Sequence, residues 1–133
     1  MIRRVEAQTP AKRLAEIPNP PKQKPHSTPS HGLNLRPDQK EVWFVDGVYG
    51  YVYVFDVTST PPKQVASIPL FQDSKERPHP GWMTFGIDGR YAYPDGGCVI
   101  DTNTKQVVAR IPTSEKLIEI DFENEKPVRA GHR

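Results

Sequence analysis

Gly86–Pro112 reads GIDGRYAYPDGGCVIDTNTKQVVARIP: a turn, a strand, a turn, a strand, a turn and a strand. Arg36–Pro69, RPDQKEVWFVDGVYGYVYVFDVTSTPPKQVASIP, says the same thing earlier in the chain. In each copy an aspartate opens a turn before an aromatic run, Asp38 before Val42–Val45 and Asp88 before Tyr91–Tyr93. Each run closes on Asp-Gly, Asp46-Gly47 and Asp95-Gly96. An apolar run ending in Asp follows, Tyr51–Asp56 and then Cys98–Asp101. The copies end on nearly the same words, Lys63–Pro69 and Lys105–Pro112. Glycine suits turns that need positive φ, because it has no Cβ to clash. Branched and aromatic residues suit a pleated, half-buried surface, and Ile68-Pro69 and Ile111-Pro112 suit a strand end that donates no further N–H.

Asp38 and Asp88 are 50 residues apart, Asp56 and Asp101 are 45 apart, and Lys63 and Lys105 are 42 apart. The shrinking offset is loop length: Val48-Tyr49-Gly50 and Ser59–Pro62 are longer than their counterparts. Solvated loops absorb such insertions at small entropic cost. A period in the forties with several short strands per unit predicts propeller blades. The fold class expected is therefore all-β: a partial β-propeller of two four-stranded antiparallel blades plus one further strand. Blade boundaries fall at 31–70 and 80–112, and the extra strand at 117–122. His31–Arg36 and Trp82–Phe85 are the expected innermost strands.

The same residues carry a family resemblance. Asp-Gly turn, short aromatic strand, Val99-Ile100-Asp101-Thr102, then Lys105-x-Val107-Val108-Ala109-x-Ile111-Pro112 resembles the YVTN family of β-propeller repeats. Asp88–Pro112 matches best. The first copy departs at Gln39, where the family's turn has Gly, and at the Pro61-Pro62 insertion. The likeness spans roughly Gly32–Asp121. It implies the propeller fold and no single activity, since a fold hosts many functions.

The chain has 133 residues, 35% of them apolar, and 15 prolines. A full propeller takes about 4–8 blades of ~40–45 residues, so two blades leave two open faces. The chain is then a fragment of a larger propeller, a unit that self-associates through its open blade faces, or a marginally stable fold. Residues 1–30 hold six Lys/Arg and two Glu, a net +4, and the remainder carries −2. With six prolines and no aromatics, that segment is expected to be a disordered, Pro-rich leader rather than a nucleic-acid-binding arm. Residues 123–133 are expected to be a loose tail with a hairpin turn near Asn124. A single cysteine, Cys98, excludes an internal disulfide and reads as a small buried side chain. No apolar run reaches the ~20 residues of a membrane helix, and the N-terminus lacks the apolar core of a signal peptide. The compartment stays undetermined, with a periplasmic or secreted parent as one expectation.

Chemistry-bearing residues are few. His31 and His79 both precede an expected innermost strand, which puts them near one mouth of the central channel, with Trp82 beside them. These three are the candidate ligand-binding residues. Two histidines are too few to define a metal site, so no metal and no cofactor are expected. Asp46, Asp56, Asp88, Asp95 and Asp101 recur once per repeat, which favours turn-building over catalysis. The sequence contains no phosphate loop, zinc spacing or nucleophile elbow. The function expected is non-enzymatic: a binding or scaffold module whose partner, protein or small molecule, the sequence does not name. Nucleic acid and membrane are not expected partners. The alternative is a propeller enzyme, lactonase-like or a cofactor-dependent oxidoreductase, using a channel-mouth site at His31 and His79.

Overall fold

A computed structural model describes residues 32–72, 80–112 and 117–131. The leader at 1–30 and both His31 and His79 lie outside the described residues. Within them the chain is all-β, with ten strands in sheets of four, four and two, every pairing antiparallel. The first blade runs β1 (Gly32–Leu35), β2 (Glu41–Asp46), β3 (Tyr51–Asp56), β4 (Lys63–Pro69), paired in sequence order. The second repeats that meander as β5 (Met83–Phe85), β6 (Tyr91–Pro94), β7 (Cys98–Asp101), β8 (Gln106–Arg110). Both outer pairings carry an irregularity at the same place, between Val54 and Phe55 and between Val99 and Ile100. These are two blades of a partial propeller, with their inner strands β1 and β5 side by side.

The third element is more ordered than expected. The expected strand and the expected hairpin turn near Asn124 form a paired hairpin, β9 (Ile120–Glu123) and β10 (Lys126–Ala130), in place of a loose tail. Asn124 and Glu125 turn it, both at positive φ (49° and 63°), the conformation that a two-residue hairpin turn requires. Pro127 is accommodated in β10 because a two-stranded sheet has only edges, where a missing N–H costs little.

The core lies between the two blades. Alternate residues of the first blade, Trp43, Val45, Val52 and Val54, face Met83, Phe85, Ala92 and Ile100 of the second, all nearly or wholly buried. Trp43 and Phe85 meet edge to face, with ring centroids 5.5 Å apart, a geometry worth about 0.5–1.5 kcal/mol beyond burial. Ion pairs and hydrogen bonds fix the rim of this interface. Glu41 accepts the Trp43 indole N–H at 2.9 Å and pairs with Lys105 of the second blade at 2.8 Å. At the far rim Arg110 donates to the Leu70 carbonyl at 2.7 Å and to the Cys98 sulfur at 3.1 Å. Cys98 is buried as expected, and desolvation pushes its thiol pKa up against the opposing pull of Arg110.

The repeated aspartates hold the main chain. Asp46 accepts N–H groups of Val48 and Tyr49, Asp56 that of Thr58, Asp88 that of Arg90, and Asp101 those of Asn103 and Thr104, all at 2.7–3.1 Å. Such bonds favour the ionised form: Thr58, through its hydroxyl and its N–H, holds the Asp56 carboxyl below its ordinary value, and the Thr104 and Asn103 N–H groups do so for Asp101.

Candidate binding groove beside the innermost strands

Inner strands of neighbouring blades are joined by one repeated device. Asn34 of β1 and Thr84 of β5 occupy equivalent slots, opposite Trp43 and Tyr93 respectively. The Asn34 amide lies 3.5 Å from the Met83 carbonyl of the next inner strand, and the Thr84 hydroxyl donates to the Leu117 carbonyl at 2.6 Å. Leu117–Glu119 therefore continues the series of inner segments, and Glu119 seals it. Its carboxylate accepts the Ile87 N–H at 2.8 Å and sits where a Cβ on Gly86 would be. On sequence Glu119 reads as part of a wet, outward stripe; its side chain is exposed, yet it is tied to the second blade.

Trp82 heads β5 and is 41% exposed, unusual for the largest side chain in the set. Its backbone is held twice by Asp95: the Trp82 N–H donates to the Asp95 carboxylate at 3.1 Å, and the Trp82 carbonyl accepts the Asp95 N–H at 2.9 Å. From the other side Gly32 fits because it has no side chain; a Cβ there would collide with the Gly81 carbonyl and sit 2.7 Å from the Trp82 Cα. Beside Trp82 a groove of about 150 Å³ opens between the second blade and the third inner segment, lined by Trp82, Met83, Thr84, Tyr93, Asp95, Leu117 and Ile118. Small-molecule pockets run to ~300–1,000 Å³, so this one has room for a single side chain or a small group. Burial raises the Tyr93 phenol pKa, and the Glu119 and Asp88 carboxylates raise it further.

A wider cleft of about 350 Å³ lies at the outer rim between β4 and β8, lined by Leu70, Gln72, Val107 and Arg110 among others. It is open to solvent, and Arg110 is committed to the blade interface. Among the described residues no group of three His, Cys, Asp or Glu side chains could hold a metal ion, and no helix is long and apolar enough to cross a membrane. Of the three residues singled out on sequence, the structure describes only Trp82. Thr84, Tyr93 and Asp95 complete the groove. Asp95 and Tyr93 read on sequence as a turn residue and a core residue, and only the arrival of Leu117–Ile118 across β5 makes them its lining.

The fold and groove define a class: a partial β-propeller with a small concavity beside its inner strands. Its architecture is similar to that of Kuenenia stuttgartiensis hydrazine synthase, a β-propeller-containing protein, with a TM-score of 0.55 and 21% identity over 68% of this chain. The chain spans about a quarter, 26%, of that chain. A likeness at this identity shows the fold alone. No protein-family model matches the chain, nor does any curated protein.

Proposed function

We propose that this chain is a non-enzymatic binding or scaffold module within a larger propeller of the YVTN type. The observation that carries the reading is Trp82: a large apolar side chain on a main chain held from both sides, left 41% exposed on the rim of a concavity. Large exposed aromatics next to a concavity are what partners anchor to. The recurring aspartates, the obvious candidates for acid–base chemistry, bind main-chain N–H groups instead.

The open face of the first blade fits the same reading. Leu33 is 69% and Leu35 43% exposed, while the matching inner strand of the second blade is buried along its length. We assign that face to a further blade of a longer chain, in keeping with a likeness that spans 26% of a propeller-containing chain. Light scattering tests the assignment: a monomer supports it, and a closed oligomer of three or four chains would show that copies of this chain complete the ring instead.

Affinity capture tests the module. Retention of a defined partner should fall at least tenfold in Trp82→Ala and persist in the His31→Ala/His79→Ala double variant. Lactone hydrolysis by the wild-type chain, lost in that double variant with folding intact, would establish the enzyme reading in its place.

A further inference from the structure

We propose that the groove beside Trp82 accepts a substituted ammonium group, such as the side-chain ammonium of a lysine on a partner. This rests on the binding-module reading and adds the ligand's chemical class. Three observations lead to it. The lining combines an indole, a phenol and a carboxylate, from Trp82, Tyr93 and Asp95, with the aliphatic Leu117 and Ile118, and among the described residues includes no Lys or Arg. Cations are drawn to the faces of aromatic rings, most strongly to tryptophan, and the attraction grows as the site is desolvated. Size agrees: ~150 Å³ is the volume of a cavity that takes up benzene, and a tetramethylammonium ion is of that order. The field agrees as well. Glu119 and Asp88 act on the Tyr93 phenol with the sign that would attract a cation.

Asp95 serves two purposes in this arrangement. One of its oxygens accepts the Trp82 N–H. A carboxylate offers about four acceptor sites, so it can hold the main chain and a cation together. A neutral apolar group would gain the aliphatic contacts alone. An anion would meet Asp95 directly and the field of Glu119. The groove thus discriminates by charge, and its small volume excludes anything much larger than one head group.

The test uses the full chain and nuclear magnetic resonance of its two indole N–H groups. The Trp43 indole is buried and bonded to Glu41, so it serves as the internal control. Tetramethylammonium chloride and Nα-acetyl-lysine methylamide are titrated separately, with tert-butanol as the uncharged counterpart of the first. The expected result is a saturable shift of the Trp82 signal alone, with tert-butanol at least tenfold weaker. Response to the lysine amide but not to tetramethylammonium would identify a primary ammonium; the reverse would identify a quaternary one. Asp95→Asn keeps an acceptor for the Trp82 N–H and should weaken the cation at least fivefold at an unchanged melting temperature. Equal binding of tert-butanol, parallel shifts of both indoles, or no saturable shift would overturn the proposal. If the cations fail while partner capture still depends on Trp82, the module reading stands and only the ligand class falls.

Discussion

The first and second blades are built from the same words, yet their inner strands have opposite fates. Gly32–Leu35 leaves Leu33 and Leu35 in solvent, whereas Met83–Phe85 is buried at every position. The difference is the neighbour. The second blade has the first on one side and Leu117–Glu119 on the other; among the described residues the first has only the second. A propeller strand is not buried by its own sequence or by its own sheet. It is buried by the blades next to it, much as each unit of a stacked repeat depends on its neighbours. The far side of the first blade is partly covered by its own aromatic residues. Phe44 lies 5.3 Å from Tyr53 and 5.5 Å from Phe55, ring to ring, a packed layer in which Tyr53 is buried and Phe44 and Phe55 are half-buried.

The comparison breaks most visibly if the shared interface is emptied. Trp43 is fully buried, bridges to Phe85 and carries the Lys105 ammonium 5.7 Å above its ring. Replacing it with Ala should cost about 3–5 kcal/mol, the range for a buried large aromatic. Trp82→Ala should cost less than that, because Trp82 is already 41% exposed to solvent. Urea unfolding of the two variants measures the contrast. Equal costs would mean that the two blades do not share a core.

How far the sequence carried is set by the range of each signal. Asp-Gly turns, aromatic alternation and terminal prolines are local, so the eight blade strands and their order were legible to within about two residues. So was the buried Cys98. The hairpin partner Lys126–Ala130 was not, because Pro127 and the charged Lys126 and Arg129 mask the alternation; in the fold Arg129 pairs with Asp121 across the hairpin. The ties between blades were also hidden. Lys105–Glu41, Arg36–Asn103 and Arg110–Leu70 join residues that no local pattern relates. One clue was present: Arg110 puts a charge into an otherwise apolar strand ending, and such a charge needs a partner. For the candidate site, Trp82 was legible from its place ahead of an inner strand. The groove was not, since it exists only once Leu117–Ile118 crosses β5.

A single turn slot sharpens the comparison at an intermediate scale. Gln39 and Gly89 occupy the same position in the two blades, at φ of 60° and 70°. Left-handed backbone costs a residue with a Cβ about 1–2 kcal/mol, so the first blade bears a strain that the second avoids. Gly89 is needed twice over, because a Cβ there would lie 3.0 Å from the Pro37 ring of the first blade. Gly89→Ala should therefore cost about 1–2 kcal/mol. Gln39→Gly should be neutral or gain up to about 1 kcal/mol, strain relief being partly offset by the extra freedom of the unfolded chain. Thermal denaturation of both variants checks the signs; a destabilising Gln39→Gly would show that the Gln39 side chain makes a contact worth more than the strain.

The smallest expected effect probes the open face itself. Leu33 is 69% exposed and pairs with Phe44 across β1 and β2. If nothing covers the first blade in solution, Leu33→Ser should change stability by no more than about 0.5 kcal/mol, as a surface substitution does. If copies of the chain cover it, the same change should cost more, and the cost should grow with protein concentration, because association stabilises the folded state by mass action. Unfolding wild type and variant at two concentrations a hundredfold apart separates the cases. A small, concentration-independent difference means the face is bare and awaits another blade. A difference that grows with concentration means the chain already supplies its own neighbour, and the two blades then differ only in which copy buries them.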